Sequence, residues 1–153
     1  PQTDYGKSKL EGEKIIGKLS STILRFSSLY GPLMTADTFL TKVINRALKE
    51  KVIDLYDPNR KQDYLFIEDA VDMLIASSLS KKTSIFKAVN GRAYTNKEVV
   101  TIISESLGGI EIKDHGGPAA GFEYNNDKWV DTFGTKSTGL KKGIDSMINH
   151  QNI

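Results

Sequence analysis

The chain has 153 residues, 39% hydrophobic and 26% charged, enough for one domain that buries its own core without disulfides or metals. It contains no Cys, which excludes thiolate chemistry, and no apolar run near the roughly 18 residues of a membrane span. A net charge of +2 on near-equal acids and bases gives no concentrated field of the kind that holds nucleic acid, and Lys81-Lys82 and Lys141-Lys142 read as solvated faces. A soluble cytoplasmic protein is the expectation. The opening at Pro1 reads as neither a translation start nor a signal peptide, and so as a processed or partial chain.

From about Tyr5 to Leu19, Leu10, Ile15, Ile16 and Leu19 recur among Lys and Glu at helical rather than alternating spacing. On such a helix Tyr5 and Lys9, four apart, share a face. An ammonium beside a phenol favours the phenolate and draws its pKa down from about 10, which makes the pair a proton-transfer device. Ser21 to Phe26 reads as a buried strand, and Ser27 to Pro32 as the loop that follows it, a place where α/β proteins meet ligands. A helix is expected from Asp37 to Glu50, with Thr35 or Asp37 near its cap, then a short strand over Val52 to Tyr56 and a turn at Asp57-Pro58-Asn59-Arg60.

Asp63 to Ile67 reads as a strand feeding a helix whose first turn carries Glu68 and Asp69, placed to offset the helix dipole rather than to work as a carboxylate pair. Ile85 to Asn90 is a further strand, closed by Gly91. Thr95-Asn96-Lys97-Glu98 has capping-box form before a helix ending at Gly108-Gly109. His115 to Gly121 has the composition of a surface loop free to move, with a ligand lid as the less favoured reading. Trp129 is a packing anchor on a short helix, and a last helix runs from Thr138 to Asn149, weakened by Gly139 and Gly143. Arg25, at the end of an apolar strand, suits a structural ion pair as well as a ligand contact. His115 and His150 lack the spacing of a metal site, and none is expected.

Three segments in order, Tyr5-x-x-x-Lys9, Leu24 to Pro32 (Leu-Arg-Phe-Ser-Ser-Leu-Tyr-Gly-Pro) and Asp63 to Val71 (Asp-Tyr-Leu-Phe-Ile-Glu-Asp-Ala-Val), resemble the second half of extended short-chain dehydrogenases/reductases, and more narrowly the NAD-dependent epimerase/dehydratase family acting on nucleotide sugars. The resemblance implies an α/β fold: the C-terminal part of a Rossmann-like domain plus a small α/β substrate-binding lobe. It implies that residues 1–34 close the Rossmann domain, that 35–153 form mainly the lobe, and that 63–80 return to the Rossmann sheet. It implies further that Tyr5 exchanges a proton with a sugar hydroxyl during hydride transfer, that Lys9 binds the nicotinamide ribose, and that Ser27 lies near the cofactor. Ser28, Arg60, Lys61 and Gln62 are then the substrate-binding candidates.

Two positions depart from the family's usual residues. Ser28 stands where many members carry Asn, and Gln62 where they carry an Arg on the substrate diphosphate, leaving Arg60 or Lys61 to reach that anion. The family's Gly-rich turn, ribose-binding acid and catalytic Ser/Thr lie upstream of the Tyr and are not in this sequence. The expected cofactor is therefore NAD, with NADP open, held largely by a missing half. The expected partner is a nucleotide sugar, the complete protein a homodimer, and the isolated chain inactive. Rival readings are a non-catalytic dinucleotide sensor or scaffold of the same fold, and a carbonyl reductase on a substrate without a diphosphate.

Overall fold

A computed structural model describes residues 2–35, 37–134 and 137–151. Seven strands and six helices are assigned among them, in the order α1 (Asp4–Ile16), β1 (Thr22–Phe26), β2 (Ser28–Tyr30), α2 (Phe39–Glu50), β3 (Val52–Leu55), β4 (Lys61–Phe66), α3 (Ile67–Ser78), β5 (Ser84–Ala88), β6 (Ala93–Thr95), α4 (Asn96–Ser106), β7 (Glu111–Asp114), α5 (Asp127–Phe133) and α6 (Leu140–Gln151).

Local chemistry sets most of the boundaries. The Thr3 hydroxyl accepts from Gly6 N at the start of α1, and the expected Thr95/Glu98 capping box opens α4. The cap of α2 is Thr38 rather than Thr35 or Asp37, because only Thr38 has Thr41 three places on to return the bond. Gly139 precedes α6 with φ +77°, so it sets the turn into that helix instead of weakening it. Gly143 does lie inside α6, where a Cβ would stand 2.2 Å from the Tyr30 hydroxyl.

The strands pair as β1 with β5, as β2-β4-β6, and as β3 with β7. All pairings are parallel except β4 with β6. The segment read as a loop after β1 holds a short strand, β2, because Ser28 to Tyr30 run beside Tyr64 to Phe66 of β4. Strands β6 and β7 were also not expected. Both are short and carry little alternation, and they exist because β4 and β3 offer them an edge.

Two cores result. Tyr30, Leu40, Ile44, Ile53, Val99, Ile103 and Ile144 belong to the larger, which joins α2, α4 and α6 to β3 and β4. Leu65, Ala70, Met73, Phe86, Ala88 and Trp129 form the smaller, with Leu24 and Phe26 of β1 packed against it. Trp129 meets Phe86 edge-on at 5.9 Å and lies 4.4 Å from Phe133, the anchor expected of it. By contrast α1 buries no residue, and Ile15, Ile16 and Leu19 are exposed at its end, as are Ile67, Val71, Leu74 and Ile75 along α3. A two-point ion pair, Arg25 Nε to Glu13 Oε1 at 2.7 Å and Nη2 to Oε2 at 2.5 Å, ties α1 to β1. Arg25 is thus structural, and its guanidinium, hydrogen-bonded to Glu13, holds that carboxyl below the usual range.

Candidate functional site

Two cavities adjoin at the start of β4. The first, about 430 Å³, is lined by Phe26, Ser27, Ser28, Arg60, Lys61, Gln62 and Asp63 on one side and by residues 120–122 and Tyr124 on the other. The second, about 460 Å³, lies under α2 among Phe39, Lys42, Arg46, Asp54, Tyr56, Asp57 and Asn96. Arg60 and Gln62 line both and form the shared wall. Ser27, Ser28, Arg60, Lys61 and Gln62, all singled out from the sequence, are thereby brought together around one cavity.

The backbone beneath this wall is held on both sides. Arg60 N donates to Asp57 O at 2.9 Å, and Asn96 N and Lys97 N, at the start of α4, donate to Arg60 O and Pro58 O at 2.9 and 3.0 Å. A helix N-terminus, with its spare N–H groups, so clamps the turn that presents Arg60. Segment 115–121 is likewise pinned: His115 N donates to Leu55 O, Asp57 N to Gly116 O and Lys61 N to Ala120 O, at 2.7 to 2.9 Å. His115 also stacks on Tyr56 with ring centroids 4.6 Å apart. Gly121 packs so closely on Lys61 that a Cβ would lie 2.0 Å from its carbonyl oxygen. The segment expected as a surface loop is one, and three backbone bonds that its composition does not advertise set it against residues 55–61 as one wall of the cavity.

Asp63 organises the first cavity from below. Its side chain is 1% exposed and accepts hydrogen bonds from Ser27 Oγ at 2.5 Å, Asn90 N at 3.0 Å and Gly91 N at 2.8 Å. Three donors satisfy a carboxylate that burial alone would penalise. Next to it the Gln62 amide nitrogen donates to Ser28 Oγ, so the two departures from the family's usual residues touch each other. Asp69, read as dipole compensation, is buried and accepts from Thr138 N and Thr138 Oγ1, both at 2.8 Å, which ties α3 to the entry of α6.

The cations of the lining are unequally engaged. Lys42 pairs with Asp37 at 3.0 Å, Arg46 with Asp54 at 2.5 Å and Glu50 at 2.8 Å, and Lys61 with Glu123 at 3.9 Å. Arg60 has no ion pair among the described residues. The His115 hydrogen bond, seconded by the Arg46 guanidinium, holds the Asp54 carboxyl below the usual carboxylate range. Burial pushes the Tyr64 phenol up to about 12, partly offset by the charge of Arg60, and its hydroxyl has no hydrogen-bond partner among the described residues. Burial also raises Tyr30.

Tyr5 and Lys9 share a face of α1 as their spacing requires: Tyr5 is 72% exposed and Lys9 Nζ lies 5.2 Å from its ring centroid. Neither lines the two cavities. Residues missed from the sequence as cavity lining include Phe39, Arg46, Tyr56, Asp63 and Asn96. An exposed aromatic directly before a turn was the available signal for Tyr56, and a lone acid leading an apolar strand was the signal for Asp63.

These elements define an α/β protein with parallel strands and helical cover of the Rossmann-like kind. The same fold occurs in dTDP-glucose 4,6-dehydratase from Bacillus anthracis str. Ames in complex with NAD, which is 21% identical with a TM-score of 0.84 over 99% of this chain and 53% of that one. It occurs also in UDP-glucose 4-epimerase from Thermotoga maritima with UDP-glucose, 18% identical with a TM-score of 0.84 over 99% and 54%. The family model "NAD dependent epimerase/dehydratase family" matches residues 1–89, and the chain belongs to that family. A Bacillus subtilis (strain 168) relative, YtcB, described as an uncharacterized UDP-glucose epimerase, is 27% identical over 97% of this chain and 51% of its own length. The chain thus spans about half the length of the curated relative it matches. No helix among the described residues is long and apolar enough to cross a membrane.

Proposed function

We propose that this chain is the catalytic-helix and substrate-binding part of an NAD-dependent enzyme that converts a nucleotide sugar. One observation carries the reading: the family match runs through Tyr5, Lys9, Ser27, Ser28, Arg60, Lys61 and Gln62, and the last five line one cavity. The adjoining cavity supports it, because a ligand spanning both would set a polar group at the Arg60 and Gln62 wall, with one end beside Tyr56 and the other beside Ser28. A nucleoside and a sugar joined by a diphosphate suit that arrangement.

The residues fit one end of a nicotinamide dinucleotide. The Tyr5 hydroxyl and the Lys9 ammonium have no hydrogen bond or ion pair among the described residues, which leaves them to meet ribose hydroxyls. Ser27 gives its proton to Asp63 and keeps lone pairs for a donor such as a carboxamide. When bound, the nicotinamide supplies the hydride chemistry. Tyr5 exchanges a proton with a sugar hydroxyl, while Lys9, 5.2 Å from the Tyr5 ring, offers positive charge beside the phenol. Gln62, Ser28 and the clamped Arg60 turn orient the sugar nucleotide.

The phosphate-binding turn is not in this sequence, so the isolated chain is inactive and the complete protein active. Turnover of UDP-glucose by the complete protein tests the reading. Tyr5→Phe lowers kcat roughly 10²- to 10⁴-fold while NAD binding persists. Full turnover in Tyr5→Phe would remove the phenol from the reaction, and NAD binding without any turnover in the unmodified protein would favour a sensor.

A further inference from the structure

We infer that Arg60, rather than Gln62 or Lys61, holds the substrate's diphosphate, and that the Ser28–Gln62 pair is a neutral contact for a hydroxyl; the inference rests on the sugar-nucleotide reading above. Of the four cations lining the two cavities, Lys42, Arg46 and Lys61 each have a carboxylate partner, while Arg60 has none among the described residues. An anion entering the site meets one guanidinium whose charge is not already countered, and a guanidinium can engage phosphate oxygens in pairs. Its position suits the task. Arg60 lines both cavities, and its backbone is held by Asp57 on one side and Asn96 on the other. The reach of its side chain therefore starts from a fixed point between the two ends of a bipartite ligand.

Gln62 is unsuited to the anion for a reason beyond its neutrality. Its amide nitrogen spends one of its two N–H groups on Ser28 Oγ, which leaves a mixed set: the amide oxygen as an acceptor beside the second N–H and the serine hydroxyl as donors. A phosphate accepts only, whereas a sugar hydroxyl both gives and takes and so matches the pair. The Lys61 ammonium already has a carboxylate, Glu123, 3.9 Å away. The charge that family members usually carry at the Gln62 position is thus displaced two residues upstream onto the turn.

The test measures binding of UDP and of uridine to this chain by calorimetry, at low and high salt. Arg60→Gln weakens UDP roughly 10- to 100-fold, abolishes most of its salt dependence and leaves uridine unchanged. Lys61→Gln gives a smaller loss, about two- to threefold, and Lys49→Gln, on the exposed face of α2 outside both linings, gives none. Arg60 is exposed, so an unchanged urea midpoint confirms that Arg60→Gln still folds. UDP binding by Arg60→Gln equal to that of the unmodified chain would overturn the assignment while leaving the sugar-nucleotide reading in place, as would an equal or larger loss in Lys61→Gln. Failure of the unmodified chain to bind either UDP or uridine would overturn both.

Discussion

Replacing Asp63 by Ala removes the group on which the first cavity is built. The carboxylate accepts from Ser27 Oγ at 2.5 Å and from Asn90 N and Gly91 N at 3.0 and 2.8 Å, with 1% of the residue exposed. Hydrogen bonds to a charged group contribute about 1.5–3 kcal/mol each. Asn90 is half-buried and Gly91 exposed, so water recovers part of what the two backbone donors lose. The expected cost is therefore about 3–5 kcal/mol, below the sum of three such bonds. With a urea m-value of about 2 kcal/mol/M, the unfolding midpoint falls by roughly 1.5–2.5 M, a large part of the 5–15 kcal/mol typical of a whole domain. Asp63→Asn costs less, about 1.5–3 kcal/mol, because the amide oxygen can serve one backbone N–H while its NH₂ faces the other. Ser27→Ala costs only about 1 kcal/mol, since the carboxylate keeps both backbone donors. Urea denaturation followed by circular dichroism gives all three values. An Asp63→Ala midpoint within about 0.2 M of the unmodified chain would refute the claim that these bonds hold the β1 and β5 ends together.

Tyr64→Phe is expected to be neutral or to stabilise by up to about 1 kcal/mol, read as an unchanged or higher urea midpoint, because the buried hydroxyl it removes has no partner among the described residues. Gly143→Ala is destabilising by about 1–2 kcal/mol despite the better helix propensity of Ala, because the new methyl falls 2.2 Å from the Tyr30 hydroxyl and 2.7 Å from its ring; thermal melting in parallel with Gly12→Ala, where nothing lies within 4 Å, separates the two effects. Thr95→Ala costs about 1 kcal/mol by removing the α4 cap, and Thr95→Ser recovers most of it in the same denaturation assay. The Glu98 pKa is held down first by the Thr95 backbone N–H and then by its hydroxyl and Arg92, and that of Glu13 by Arg25. A folded-state pKa below the unfolded value adds stability that is present above about pH 4.3 and is lost as pH falls through the lower folded value. Urea midpoints measured from neutral pH downward should therefore decline below that point, and Glu98→Gln should decline less steeply.

Order along the chain and the pairings made within one helix or cap were legible in the sequence because they depend on neighbours a few positions apart. The i, i+4 spacing places Tyr5 beside Lys9 on α1, and the Thr95/Glu98 box starts α4 where it was expected. The family segments around Tyr5, Ser27 and Asp63 likewise point to the α/β class, and those around Ser27 and Asp63 meet at one cavity, which Tyr5 and Lys9 do not line. Tertiary structure alone decided how that region is built. β2, β6 and β7 exist through edges supplied by distant strands, segment 115–121 is hydrogen-bonded to backbone groups of residues 55–61, and Asp63 is satisfied by donors 27 and 28 positions downstream in sequence. The choice of Arg60 over its neighbours belongs to the same level. Residues 60–62 all look able to meet a substrate when read in line, and what separates them is which partner each has already found across the fold: Ser28 for Gln62, Glu123 for Lys61, and for Arg60 no carboxylate among the described residues. Hydrogen bonds and ion pairs are short-ranged, so such assignments depend on distances that the chain sets only once it is folded.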